Sequence, residues 1–140
     1  VALERDVYVE AICDGRHLHP GTVRLYLKAK GYDRVVAVTD SIMAAGLPDG
    51  SYKLGVNDVI VENGDAKLPN GVRAGSTLTM AQALRNLMAF TGEGAETVSR
   101  LMGWAGKGEL DVGKDADLVL LDGDYQVART VVGGRTVYTR

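Results

Sequence analysis

The chain has 140 residues, of which 46% are hydrophobic and 24% charged, with 16 basic residues set against 18 acidic ones for a net charge of −2. That balance fits one globular domain with a sizeable core, and it offers no basic stripe for nucleic acid and no polybasic patch for a membrane surface. Apolar runs fall short of the roughly 20 residues that span a bilayer, and Val-Ala-Leu-Glu-Arg-Asp at the start lacks the order of a signal peptide; with a single cysteine, Cys13, the expectation is a cytoplasmic protein without internal disulfides.

In chain order, Val7 to Cys13 (VYVEAIC) is rich in β formers and stops at Asp14-Gly15, a strand followed by a turn. Pro20 opens a helical pattern that Gly31 closes, with Val23, Leu25, Leu27 and Ala29 as its apolar members. Arg34 to Asp40 (RVVAVTD) is a short Val/Ala run that fits a strand covered on both faces, as in a parallel sheet. Strand, helix and strand together have the size of a βαβ unit, so Asp14 and Asp40 stand at the same carboxyl edge, where open α/β sheets and barrels bind ligands. Asp40 is either a site carboxylate or a cap for the turn that follows it.

Beyond Gly46, Asn63-Gly64 between alternating runs predicts a β-hairpin. Ser76 to Phe90 (STLTMAQALRNLMAF) predicts a helix capped by Ser76 or Thr77, with Leu78, Ala81, Leu84, Leu87 and Met88 as its core stripe. A short helix is expected over Glu96 to Met102, and the end of the chain reads as three strands with turns at Gly123-Asp124 and Gly133-Gly134. Two parallel strands are far fewer than the roughly eight of a barrel of about 250 residues, so the chain reads as the last part of a larger fold.

Four segments, DGRHLHP, VVAVTDSIMAAGLPDG, RAGSTLTMAQALRNL and GKDADLVLLD, together resemble the carboxyl-terminal part of the N-acetylglucosamine-6-phosphate deacetylase family, in the amidohydrolase superfamily. The resemblance implies an α/β fold: the last two βα units of a (β/α)8 barrel over residues 1–106, a β-hairpin insertion at 51–72, and returning strands of the small β-sandwich domain over 107–140. It implies Asp40 as the catalytic proton carrier, and Asp14, Gly15, Arg16 and His17 as a substrate segment whose histidine reaches the sugar phosphate. Arg73, Ala74 and Gly75 match a second substrate segment, in which the family usually has Leu where this chain has Arg73. His17-Leu18-His19 has the His-x-His form of a metal pair but corresponds by position to the substrate segment. The implied cofactor is a divalent metal, zinc or iron, whose ligands, a glutamate and two histidines on earlier strands, have no counterpart in this chain.

The implied activity is hydrolysis of the N-acetyl group of N-acetylglucosamine 6-phosphate, carried by a parent enzyme that forms a homodimer. The alternatives are a deacetylase of another amide, or a non-catalytic remnant or interaction fragment of an amidohydrolase. The stretch Arg100 to Leu110 is shorter than the usual family stretch and lacks its Asn-Pro-Ala type turn. Without earlier strands, the edge of the Val7–Cys13 strand would be left unpaired and open to another chain.

Overall fold

A computed structural model describes residues 4, 6–94, 97–98 and 111–140. The helix expected over Glu96 to Met102, Thr97 and Val98 apart, and the whole of the Arg100–Leu110 stretch lie outside the described residues.

The first layer is a βαβ unit. Strand β1 (Val9–Ile12) runs parallel to β2 (Val35–Val38) in a register that pairs Ala11 with Ala37 and Ile12 with Val38. Helix α1 (Pro20–Lys30) makes the crossover, and the imidazole of His19 caps it, Nδ1 accepting the Gly21 N–H at 3.0 Å. Pro20 fits the first helical position because it has no N–H to leave unsatisfied there. Gly31 ends the helix with φ 80°, its N–H donating to the Leu27 carbonyl.

Alternate residues of the two strands, Ala11 and Cys13, Val35 and Ala37, are buried with Val23 and Leu27 of α1 and Leu87 of α2 (Met80–Thr91). Ile12, Val36 and Val38, on the other face, are only half-buried. The expectation of a strand covered on both faces is therefore corrected: among the described residues the helices cover one face. On α1 the buried positions are Val23, Leu27 and Lys30, spaced three and four apart, whereas Leu25 is 61% exposed. A face needs the 3.6-residue period, and the alternating set of Val23, Leu25, Leu27 and Ala29 does not have it.

Between β2 and α2 lies a three-stranded antiparallel meander, β3 (Gly50–Leu54), β4 (Asn57–Glu62) and β5 (Asp65–Lys67). The expected hairpin is there: Asn63 and Gly64 join β4 to β5 with φ of 51° and 71°. Two successive positive φ values make a type I′ turn, which suits the twist of the strands. A second hairpin, not expected from the sequence, joins β3 to β4 through Gly55 (φ 60°) and Val56. Gly at the first central position, followed by a residue of ordinary φ, is the type II′ signature. Val59, Val61 and Ala66 of the meander bury against Ile42, Ala44 and Ala74, a second core beside the first.

The cap of α2 is Thr79, whose hydroxyl accepts the Gln82 N–H at 3.2 Å, and not Ser76 or Thr77. Its stripe buries Ala83 and Leu87, with Leu84, Met88 and Phe90 packed partly against the same core. The chain closes with a second antiparallel meander, β6 (Leu118–Leu121), β7 (Val127–Val132) and β8 (Arg135–Thr139), the three strands expected. No helix among the described residues is long and apolar enough to cross a membrane.

Candidate functional site

The pairing of Ile12 with Val38 puts both strand ends at one level, so Asp14 and Asp40, each two residues further on, leave the sheet at the same edge. Asp14 turns back on its own loop. Its Oδ1 accepts the N–H groups of Arg16 and His17, both at 2.8 Å, and its Oδ2 lies 2.7 Å from Nδ1 of His17. Burial pushes the Asp14 carboxyl up, but these backbone hydrogen bonds and the His17 ring outweigh it, so its pKa is lowered overall. An ionised carboxylate only accepts, so Nδ1 of His17 carries the hydrogen between them and Nε2 is the nitrogen offered to a ligand.

Asp40 has φ 47°, in the left-handed region. It is exposed, and among the described residues its carboxylate makes no hydrogen bond or ion pair, so it does not cap the turn that follows. The main chain around it is locked instead. Ser76 N–H donates to the Asp40 carbonyl at 2.8 Å, Ile42 N–H donates to the Ser76 carbonyl at 2.9 Å, and the Ser76 hydroxyl donates to the Thr39 carbonyl. Gly75 makes that approach possible: a Cβ there would come within 2.8 Å of the Asp40 carbonyl oxygen and of Ile42 Cγ2.

The two segments expected to hold substrate touch each other. Arg73 Nη1 donates to the Arg16 carbonyl at 3.2 Å, while Arg16 sends its own guanidinium to the Asn63 carbonyl of the β4–β5 turn. The structure thus brings Asp14 to His17 against Arg73, and Gly75 against Asp40, along one edge. An open cleft of about 470 Å³ lies there, lined by Asp14, Arg16, Gly64, Thr77, Gln82 and Asn86 among others. Asn86 reaches from α2 to the Cys13 carbonyl at 2.8 Å and so fixes the strand end just before Asp14. Burial, with the charge of Asp14, pushes the Cys13 thiol up to about 11, which keeps it protonated and unreactive.

His17 and His19 part company: one ring goes to Asp14 and the other caps α1. No group of three or more His, Cys, Asp or Glu among the described residues converges to hold a metal ion, so these residues do not by themselves supply a ligand set. Sequence reasoning missed Asp65, Thr77, Asn86 and the capping role of His19. Only His19 carried a local signal, its place directly before Pro20.

Loops that meet at the carboxyl edge of a parallel strand pair, presenting carboxylates, a histidine and arginines, define an α/β fold of the kind that binds ligands at that edge. No family model matches the chain. It is 37% identical over 98% of its length to an N-acetylglucosamine-6-phosphate deacetylase of Bacillus subtilis, of which it spans 37%. It is 34% identical over 94% of its length to a protein of Escherichia coli K12 named as a candidate N-acetylgalactosamine-6-phosphate deacetylase, of which it spans 84%. The N-acetylglucosamine-6-phosphate deacetylase of Thermotoga maritima superposes on 99% of the chain with a TM-score of 0.89 at 40% identity, the chain covering 40% of that structure. A mutant enzyme of the same name from Mycobacterium smegmatis, solved in complex with N-acetyl-D-glucosamine-6-phosphate, superposes on 99% of the chain with a TM-score of 0.86 at 32% identity, the chain covering 39% of it. The chain belongs to the N-acetylglucosamine-6-phosphate deacetylase family.

Proposed function

We propose that the full-length protein hydrolyses the N-acetyl group of N-acetylglucosamine 6-phosphate, releasing acetate and glucosamine 6-phosphate in amino-sugar breakdown. The observation that carries this reading is the meeting of residues 14–17, Asp40 and residues 73–75 at one sheet edge, in a chain of this family. Residues 1–106 would form the last two βα units of an amidohydrolase barrel with the meander at 51–72 as its insertion, and residues 107–140 the strands returning to a small β domain. The open outer edge of β1, which among the described residues pairs only with β2, is where earlier barrel strands would add.

Asp40 is the proton carrier of this reading. Its carboxylate is exposed and uncommitted among the described residues, as a base must be. It takes a proton from the water that attacks the acetyl carbon, then returns it to the nitrogen as the C–N bond breaks, giving acetate and a free amine. His17, with a proton on each ring nitrogen, donates Nε2–H to the phosphate while Nδ1–H stays on Asp14, and the segments Asp14–His17 and Arg73–Gly75 border the sugar. The divalent metal implied by the superfamily, zinc or iron, would be held by residues outside this chain. The protein would act in the cytoplasm as a homodimer on a small phosphorylated sugar, with neither nucleic acid nor membrane as partner.

A second reading is favoured by the Escherichia coli relative, whose name specifies the galactosamine epimer. Acetate release by the full-length protein, measured with both epimers, decides between them. Asp40→Asn keeps the shape and removes the base, so kcat should fall by about two orders of magnitude or more with KM largely kept. Near-normal turnover in that variant would exclude the proton-transfer role.

A further inference from the structure

We infer that Asp65, acting through Arg73, is a positioning residue that holds the Asp14–His17 loop in place for the sugar phosphate; this rests on the reading that the loop borders the substrate. Asp65 opens β5 and its side chain is only 11% exposed. It accepts Arg73 Nε at 2.9 Å and Nη2 at 3.3 Å, a two-pronged pair, and Lys67 Nζ at 2.9 Å. The remaining guanidinium nitrogen, Nη1, donates to the Arg16 carbonyl. Each of the three nitrogens of Arg73 is therefore committed, and the side chain works on the site through Arg16 while the backbone of Arg73–Gly75 lies along the edge.

Arg16 closes the loop from the other side. Its guanidinium donates to the Asn63 carbonyl, and Thr77 donates to the neighbouring Gly64 carbonyl at 2.7 Å. The loop after β1 is thus tied twice to the meander, once by its carbonyl and once by its side chain, and Asp65 fixes the orientation of the first tie. Without that carboxylate the Arg73 fork would be free to swing, and the Arg16–His17 peptide with it. The Arg73 and Lys67 ends of this pair are exposed to solvent, which screens its contribution to global stability without abolishing it. Its removal should therefore be felt in the order of this loop before it is felt in the fold.

The test uses the full-length protein with Asp65→Asn, Arg73→Leu and the double variant, read by hydrogen exchange of the peptide spanning Asp14–His17 and by steady-state kinetics on N-acetylglucosamine 6-phosphate. Exchange in that peptide should quicken by about tenfold in each single variant, with little change elsewhere. KM should rise about fivefold with kcat within about twofold for Asp65→Asn, and the double variant should be no worse than the singles. Unchanged exchange at residues 14–17 overturns the inference, whatever the activity. So does quickened exchange with an unchanged KM in an active enzyme, or a fall in melting temperature with neither effect. If the wild type turns over neither epimer while exchange still quickens, the positioning role stands and the proposed function fails. Arg73→Leu keeps the test open should Asp65→Asn not fold.

Discussion

A methyl group at Gly75 would sit 2.8 Å from the Asp40 carbonyl oxygen and from Ile42 Cγ2, far inside van der Waals contact, on a backbone whose φ of 66° already disfavours a side chain. Either the Ala74–Ser76 segment retreats or the Asp40 peptide does. Gly75→Ala should therefore cost about 1–3 kcal/mol of stability from overpacking and strain, measured by denaturant unfolding, and should lower kcat because the carboxylate moves with its backbone. His17 is constrained differently. With Nδ1 tied to Asp14, substitution by Asn should weaken binding of the phosphorylated sugar far more than of the unphosphorylated one. Equal loss on both, measured by calorimetric titration, would mean that the ring does not reach the phosphate.

At the scale of elements, α2 depends on one hydroxyl: Thr79→Ala leaves the Gln82 N–H without its partner and should cost about 1 kcal/mol, read from the same unfolding curves. Three hydroxyl residues, Ser76, Thr77 and Thr79, precede this helix, and local chemistry suits any of them to cap it. Ser76 and Thr77 are drawn off instead by the Thr39 and Gly64 carbonyls, contacts that no short window of sequence contains. Helix α1 was legible because Pro20 and Gly31 mark its ends by steric rules that act within a few residues. The Asn63-Gly64 turn was legible for the same reason, and Gly55-Val56 carried an equally local signal that the run of alternating residues around it masked. Residues 14–17, Asp40 and 73–75 were assigned by resemblance, and only the edge position of Asp14 and Asp40 followed from the βαβ spacing. Their mutual contacts cross 57 residues from Arg16 to Arg73. Asp65 was illegible, since an aspartate after Asn-Gly looks like part of a turn, and the one pointer to it was an arginine where the family usually has leucine.

For the whole molecule, acid is the revealing stress. Asp65 is held at about 2, by Arg73 first and Lys67 with it against the effect of burial, and Asp14 is lowered as well. A carboxyl whose pKa is lower when folded than when unfolded, where it is about 4, contributes stability that is full above that value and lost as pH falls through the folded one. Stability should therefore decline between about pH 4 and pH 2, less steeply in Asp65→Asn, as followed by thermal melts across that window. The tail meander is tied in as well: Arg85 on α2 donates to the Tyr125 carbonyl and to Gln82, Gln82 donates to Asn86, and Asn86 donates to the strand end before Asp14. Of the two Asn-Gly dipeptides in the chain, Asn63-Gly64 and Asn70-Gly71, the first sits in a turn whose hydrogen bonds bear on how long such a molecule lasts. Asn-Gly ages by deamidation when the glycine nitrogen attacks the asparagine side chain, and it is a common thermolabile point in proteins. Here the Gly64 N–H is held on Asp49 Oδ1 at 3.0 Å and the Asn63 N–H on Oδ2, with both residues fixed in the turn. That grip keeps the nucleophile from its target, so Asp49→Ala should gain the mass of deamidation at Asn63 markedly sooner than the wild type during storage at neutral pH.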